Sequence, residues 1–560
     1  MTWVNPTVDS SRELMIPARV ALGERLYLDV VAHYGPVPVW LHAAADRLFG
    51  LQLSTPLALL LPLAAITIFS FHVLVRRVAG PLAACCASLL ATAVALVAPN
   101  GGALVFPYSF SAAHGLAFSS VALALFQRPS RAAAAAAAGL WGLALASKPE
   151  LALVGLTAAL AGEAFGSPGP WRFPRRALVT AIAAGACGLG IWGVALRGIP
   201  LRSLVLEGPL VLFHLPREWR GVYEIVSGLG DPSRAIAATA TGAFLALLLL
   251  AAVQAGAGFS RRAGTGTALS AFGGVAALVV AGLLATDSGR VLDQALPPAL
   301  RAAPLALAGI VALLAARRIA PSPAHVALAV AGSLGAVRVA LNFTYGWSAT
   351  PYAALAAPGL VAAAVAAAFV LLPGRGPFLA ASFVSLAALQ AGRIVLATDP
   401  STYVTLETPR GALRLGSDRA EAFGGAMSWI SARARPGDTL AAFPEAGLLN
   451  FALGLPNPLR QDQILPGHLD AAAEEATMAR LRERRPRFVV LANQPSAAFG
   501  PESFGRDYAT SLWAAVLDGW RLAATFGTAG PADPVGSGPF FIRVYERNDD
   551  GRATTPRAEE

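Results

Sequence analysis

The sequence predicts an α-helical polytopic membrane protein with a small extracytoplasmic α/β domain at its C-terminal end. Hydrophobic residues make up 55% of the 560 positions and charged residues only 14%, with a mean hydropathy of +0.57. Long apolar runs fill the chain up to residue 397, and basic residues fall in every second connection between them. This composition excludes a disordered, fibrous or ordinary soluble protein.

The apolar runs predict the membrane-spanning helices, each of which needs roughly 20 mainly apolar residues. By that measure residues 53–397 contain about twelve spans. Two are weak, because 132–147 begins with a run of alanines and 303–316 is short. The runs lie at 53–75, 80–99, 110–126, 132–147, 150–166, 177–197, 235–256, 268–286, 303–316, 324–341, 352–372 and 378–397.

Basic residues in the connections predict the orientation. Alternate connections carry arginine and are predicted to be cytoplasmic, whereas 100–109 and 342–351 contain neither Lys nor Arg, although 198–234 has four Arg. Both ends of the chain then lie on the outer face of a bacterial cytoplasmic (inner) membrane. The basic connections hold Arg76 and Arg77; Arg128 and Arg131; Arg172, Arg175 and Arg176; Arg261 and Arg262; Arg317 and Arg318; and Arg375.

An outer location of residues 1–52 requires that they cross the membrane. No stretch before Leu53 has the apolar region of a signal peptide or the length of an anchor. We therefore expect one further membrane helix ahead of Thr2 in the full gene, which brings the total to about thirteen spans.

The net charge of +10 does not indicate a nucleic-acid partner. Residues 1–397 carry 26 basic and 13 acidic side chains, whereas residues 398–560 carry 17 and 20, so the positive excess belongs to the membrane part. All three cysteines lie in apolar runs, which excludes a disulfide framework in the polar regions.

Residues 398–548 form the only sizeable polar segment and are predicted to fold as one α/β domain. Strands are expected at 438–443, 487–493 and 540–547, with helices at 469–485 and around 508–518. The predicted organisation is a first outer loop at 1–52, a membrane domain at 53–397, the outer domain at 398–548 and a disordered tail at 549–560.

The first outer loop is rich in ionisable residues, which are expensive near a membrane and often functional. A local explanation is that Asp9 or Ser10 caps a short helix, that Ser10 and Glu13 form a capping box, and that Gly23 ends the helix. A carboxylate at a helix start is equally well placed to face a site.

This loop resembles that of a known family. Residues 9–50 contain Asp-x-x-Arg-Glu, Gly-x-x-Leu-Tyr-x-Asp and Tyr-Gly-Pro. They look like the first outer loop of the GT-C superfamily of membrane glycosyltransferases, in its bacterial branch related to protein O-mannosyltransferases and lipid-A sugar transferases. Residues 147–150 and 443–508 are similar to the same branch.

The resemblance implies an inverting glycosyltransferase that moves a sugar from a polyprenyl-phosphate donor to an envelope glycan, lipid or protein acceptor. Asp9 matches the loop aspartate of the family and would be the catalytic base. Such transfer also needs fixed cations for the leaving phosphate. Substrate binding is predicted for Arg12, Glu13, Asp29, His33, Tyr34, Lys148 and Glu150.

Lys148 is the main candidate for the phosphate-binding cation. It is the one lysine among 43 basic residues, which suggests that a compact ammonium is required there. Chance and snorkelling to the membrane surface explain it equally well. Glu150 would pair with Lys148 or bind a divalent cation, and any metal stays unknown because no cluster has metal-ligand spacing. His33 is a candidate substrate ligand, although a single histidine near an apolar face is more often structural.

Two other functions share these features. A flippase or transporter of polyprenyl-linked glycans also has many spans, but it typically shows internal repeats and polar groups in the middle of helices. A protein similar to O-antigen ligases or polymerases typically relies on a large outer loop between late spans. The concentration of ionisable residues in the outer loops favours the glycosyltransferase.

Overall fold

A computed structural model describes the chain in two compact units. It covers residues 9–96, 104–166, 173–213, 216–221, 232–285, 322–340, 357–397, 400–528, 535–536 and 538–548. The first unit comprises residues 33–201 and 223–401. The second unit is assembled from three separated stretches of the chain, which are 6–32, 202–222 and 402–560.

The described part of the first unit is helical, and its long helix Thr55–Ala95 contacts the helices Phe110–Phe126, Ala357–Leu371 and Gly376–Ala397. Helix α1 (Asp9–Ala21) precedes it and belongs to the second unit. The helices of the first unit are α2 (Pro36–Phe49), α3 (Thr55–Ala95), α4 (Phe110–Phe126), α5 (Arg131–Leu145), α6 (Pro149–Phe165) and α7 (Arg175–Ala195). After α8 (Leu201–Leu206) follow α9 (Pro232–Ala263), α10 (Thr265–Ala285), α11 (Pro323–Ala340), α12 (Ala357–Leu371) and α13 (Gly376–Ala397).

Helix α3 contains a sharp kink that divides it into two helical segments. Gly80 has φ 86° and ψ 177°, a conformation that only glycine adopts at little cost. Pro81 follows and has no backbone N–H, which suits the first turn of a new helix. The two halves correspond to the spans predicted at 53–75 and 80–99.

The exposed surface of the helices indicates a lipid environment. Four described helical segments are long and apolar enough to cross a membrane, namely Thr55–Ala95, Arg175–Ala195, Ala240–Ala263 and Thr265–Ala285. Leu189 and Leu278 are 73% and 74% exposed on such helices. Because water disfavours an apolar surface of this extent and hydrocarbon accepts it, the chain is a multi-pass membrane protein. The run predicted at 303–316 lies outside the described residues.

The described part of the second unit contains strands β1 (Tyr403–Thr408), β2 (Gly411–Gly416), β3 (Leu440–Phe443), β4 (Phe488–Ala492), β5 (Trp520–Gly527) and β6 (Phe541–Arg547). The last four form a mixed sheet in the order β3-β4-β6-β5. Strands β3 and β4 are parallel, and β6 runs antiparallel to both β4 and β5. A separate antiparallel hairpin joins β1 and β2.

Helices cover both faces of this sheet. Leu481 of α16 and Leu512 of α17 are buried in one core with Phe443 and Val489 of the strands. On the other face, Trp429 of α14 lies 6.1 Å from Phe488 of β4, between ring centroids. These helices are α14 (Ser417–Ser431), α15 (Gly447–Leu453), α16 (Ala471–Arg484) and α17 (Thr510–Gly519).

The predicted C-terminal α/β region is confirmed in its main elements. Strands β3, β4 and β6 and helices α16 and α17 fall within one or two residues of the predicted positions. The hairpin, α14, α15 and β5 were not predicted. The tail predicted to be disordered lies outside the described residues.

Candidate functional site

The Tyr-Gly-Pro motif holds the start of α2 against the turn between α5 and α6. The amide of Gly35 donates to the carbonyl of Ser147 at 3.1 Å, and that of Val37 donates to Ala146 at 3.2 Å. A Cβ atom at Gly35 would lie 2.1 Å from the Ala146 carbonyl oxygen, so no other residue fits. The glycine therefore fixes the backbone next to Lys148.

Lys148 lies at the N-cap position of α6 and is only 7% exposed. Its Nζ donates to the Tyr108 hydroxyl at 3.0 Å and lies 4.5 Å from the centre of the Tyr34 ring. Both rings favour a cation at this point. The structure therefore brings together Tyr34 and Lys148, which were each predicted to bind substrate, and adds Tyr108 as a partner.

The ammonium of Lys148 retains bonding capacity. An ammonium has three donors, and among the described residues Tyr108 is the one acceptor within hydrogen-bond distance of Nζ. The Glu150 carboxylate lies 3.6 Å from Nζ and is 57% exposed, so it is an accessible partner. Such an arrangement suits an anionic ligand, which would accept the remaining hydrogen bonds of the ammonium.

The same unit contains His33, His42 and His114. His42 of α2 stacks on Phe110 at 4.3 Å and meets the edge of His114 at 5.2 Å between ring centroids. His33 is half-buried beside Tyr34. Within the described residues no group of three or more His, Cys, Asp or Glu side chains could hold a metal.

In the second unit, α1 presents Arg12 and Glu13 to the loop after α15. The Arg12 guanidinium donates to the side-chain oxygen of Gln463 at 3.0 Å and to Glu13 at 3.3 Å. Glu13 is 8% exposed, so this charge pair is almost fully shielded from water. The structure thus brings these two predicted residues together and adds Gln463, which sequence reasoning missed.

Asp9 is the first residue of α1, and its side chain lies outside the described part of the structure. The helix ends at Ala21, and Gly23 follows with φ 104°, as the sequence predicts for a glycine that ends a helix. The role of Asp9 as cap or as base stays a prediction.

Arg19 is the main anchor of α1. It is 3% exposed and donates to Glu24, to the Asp462 carboxylate at 2.9 Å and to the Leu459 carbonyl at 2.7 Å. Asp29, a predicted substrate ligand, accepts from the Arg25 amide at 2.9 Å within its own turn. Burial lowers the pKa of Arg19, and Asp462 and Glu24 outweigh this effect, so its pKa is raised. Arg19 therefore stays charged.

His468 lies beside this cluster with a strongly altered titration. Its ring Nδ1 donates to the Gln463 carbonyl at 3.2 Å, and its ring centroid is 5.0 Å from that of Trp219. Burial is the largest cause that lowers its pKa, to about 4; the bond to Gln463 raises it and the charge of Arg12 lowers it further. The imidazole is therefore neutral at ordinary pH.

We expect His468 to make the folded protein sensitive to acid. Because its pKa falls from 6.5 to about 4 on folding, the unfolded chain binds more protons between these values. Above pH 6.5 the buried neutral imidazole therefore causes no loss of stability. As the pH falls toward 4, the free energy of unfolding decreases by up to roughly 3 kcal/mol. The midpoint of thermal unfolding in detergent should fall less on acidification for His468→Asn than for the wild-type protein. The asparagine amide still donates to Gln463. Equal shifts in both proteins would contradict this assignment.

The fold and these clusters define a multi-pass membrane protein with a shielded lysine at the start of helix α6 and an appended α/β unit. No protein-family model matches the chain, and no curated protein matches it significantly. Among solved structures, the chain is similar to ArnT from Cupriavidus metallidurans in the apo state, with 13% identity and a TM-score of 0.41 over 96% of this chain and 93% of that one.

Two further structures show a likeness of the same order. ArnT from Cupriavidus metallidurans bound to undecaprenyl phosphate has 13% identity and a TM-score of 0.39, over 96% of this chain and 93% of that one. The Archaeoglobus fulgidus oligosaccharyltransferase in complex with Zn and sulfate has 16% identity and a TM-score of 0.46, over 87% of this chain and 64% of that one. The likeness is remote, so the function proposed below rests on the residues of this chain.

Proposed function

We propose that the protein is an inverting membrane glycosyltransferase that moves a sugar from a polyprenyl-phosphate carrier to an acceptor. The observation that carries this proposal is Lys148, a shielded ammonium held by Tyr34 and Tyr108 with bonding capacity left over. The second support is the GT-C-like pattern of the first loop, whose Tyr-Gly-Pro motif forms part of the same cluster.

Lys148 would bind the phosphate of the donor. A compact ammonium in a shielded position stabilises the negative charge of a leaving phosphate more strongly than it would in water. The accessible carboxylate of Glu150, 3.6 Å from Nζ, would be displaced by that phosphate or would hold a divalent cation beside it.

Asp9 would act as the base. The acceptor hydroxyl oxygen forms a bond to the anomeric carbon while the bond from that carbon to the phosphate oxygen breaks. The phosphate departs with the bonding electron pair, and the acceptor proton passes to the Asp9 carboxylate. Inversion follows because attack and departure take place on opposite faces of the sugar.

The remaining predicted ligands receive roles according to their surroundings. Arg12 is fixed by Glu13 and Gln463, which suits a guanidinium that positions a polar group of donor or acceptor. His33 and Tyr34 would line the donor side next to Lys148, and Asp29 would contact the acceptor. Membrane lipids surround the helices, and the outer face of a bacterial cytoplasmic membrane is the proposed site of action.

A carrier-release assay tests the proposal. Membranes that contain the full-length chain should convert polyprenyl-phosphate sugars to free polyprenyl phosphate, with one sugar appearing in a product for each carrier released. Membranes without the protein provide the background rate. Recovery of intact carrier-linked sugar on the opposite membrane face would instead indicate a flippase. Transfer of a preassembled glycan would favour the ligase or polymerase alternative.

A further inference from the structure

The second unit contains a basic cleft, and Asp29 is the one residue of its lining that has a role in the proposed reaction. The cleft has a volume of about 560 Å³, which is large enough for a small ligand. Five arginines and three carboxylates line it, a net charge of +2. The charged lining residues are Arg480, Arg484, Arg485, Arg487 and Arg547, with Glu24, Asp29 and Asp438.

The carboxylates of the cleft already have cationic partners. Glu24 accepts from Arg19 at 2.6 Å, and Asp29 lies 3.5 Å from Arg25. Both of these arginines are outside the lining. Asp438 accepts from Arg487 at 2.9 Å. These pairs neutralise the carboxylates of the cleft. Among its arginines, Arg487 also contacts Glu546 at 3.3 Å and Arg484 lies 4.0 Å from Glu483, both outside the lining, whose own net charge is positive.

Arg480 carries that excess most clearly. It is half-buried, its Nε donates to the Pro458 carbonyl at 2.7 Å, and it forms no ion pair within the described chain. Burial, followed by the charges of Arg484, Arg19 and Arg460, lowers its pKa, whereas Glu24 raises it. A guanidinium remains charged despite such a shift, so the crowding of cations is an energetic cost that a bound anion would relieve.

The helix dipole alone does not explain this cluster. Basic residues at the end of a helix are favoured by its negative end, which accounts in part for Arg484 and Arg485 at the end of α16. Arg547 ends β6 and Arg487 precedes β4, and neither lies on a helix. Arginines from separate elements therefore converge on one cleft.

We propose that this cleft binds a phosphate or diphosphate group. Guanidinium forks bind phosphate oxygens in pairs, and several converging forks favour an anion with more than one negative charge. This proposal is independent of the glycosyltransferase assignment, because it concerns binding to a separate cleft in the second unit.

Titration of the full-length protein in detergent with inorganic pyrophosphate, at low ionic strength, tests the site by calorimetry. Arg480→Gln and Arg484→Gln should each weaken binding by about tenfold. Arg484 is 57% exposed, so its substitution is compatible with folding. Arg482→Gln is the matched control, because Arg482 belongs to the same helix but does not line the cleft.

A second arm distinguishes a soluble phosphate from a lipid head group. Nanodiscs of phosphatidylglycerol are compared with nanodiscs of phosphatidylcholine, with the same three variants. Binding of phosphatidylglycerol alone, lost in Arg484→Gln, assigns the site to a lipid phosphate. Absence of binding to both probes, or an equal loss in Arg482→Gln, overturns the proposal.

Discussion

Replacement of Lys148 by glutamine should lower kcat for sugar transfer by about 100-fold to 1000-fold. Glutamine retains a donor for the Tyr108 hydroxyl but removes the charge that would meet the leaving phosphate. The loss should appear in kcat as well as in kcat/KM, because the phosphate gains charge as the bond to the sugar breaks. Single-turnover release of carrier phosphate from purified protein measures it.

Two further variants make the Lys148 experiment decisive. Lys148→Arg keeps the charge but must fit a larger planar group between Tyr34, Tyr108 and Gly115. Space there is limited, because a Cβ atom at Gly115 would already lie 3.1 Å from the Lys148 Cβ. We expect it to be impaired as well. Arg131→Gln removes an exposed cation at the other end of α5 and should retain the wild-type rate. A fully active Lys148→Gln protein would leave snorkelling as the explanation for this residue.

Asp9→Asn should reduce sugar transfer by about 100-fold to 10000-fold, because an amide cannot accept the acceptor proton. The helix start would still be capped, since asparagine and aspartate cap equally well. The same assay measures the loss, and expression in the membrane should persist.

Asp470→Asn is the matched control for Asp9. Asp470 caps α16 and accepts from the Ala473 amide at 2.7 Å, so it has a local role that asparagine can fill. Its substitution should leave the rate unchanged. The Asp9 variant should also lose the acid limb of the kcat/KM profile that a carboxylate base produces. A wild-type rate in Asp9→Asn would exclude Asp9 as the base.

Sequence reasoning succeeded where the signal was local or compositional. Strand β4 was predicted because it is a short, strongly apolar run. Helix α16 has a clear cap at Asp470 and basic residues in its last turn. In each case the information lies within a few neighbouring positions.

Missed elements have physical reasons. Strand β1 has only six residues and buries none of them, so its short alternation of apolar and polar residues is a weak signal. Helix α14 contains two adjacent glycines, which weaken any helix prediction. A Cβ at Gly425 would lie 2.5 Å from the Phe526 ring, so close packing against β5 requires glycine there.

The missed site residues are far apart in sequence. Tyr108 lies 40 positions from Lys148, and Gln463 lies 451 positions from Arg12. A glutamine or a tyrosine in a loop gives no sign of such a partner. The contacts become visible only when the fold places them together.

The assembly of the second unit from three stretches of chain has a consequence for biosynthesis. Arg19 leaves the ribosome 443 residues before its carboxylate partner Asp462. Contacts of such separation form slowly and carry a large loop-closure cost. Until the intervening chain has been made and inserted, Glu24 is a local partner that offsets the charge of Arg19. Packing of α1 against the loop that holds Asp462 is therefore a late event in the maturation of this unit.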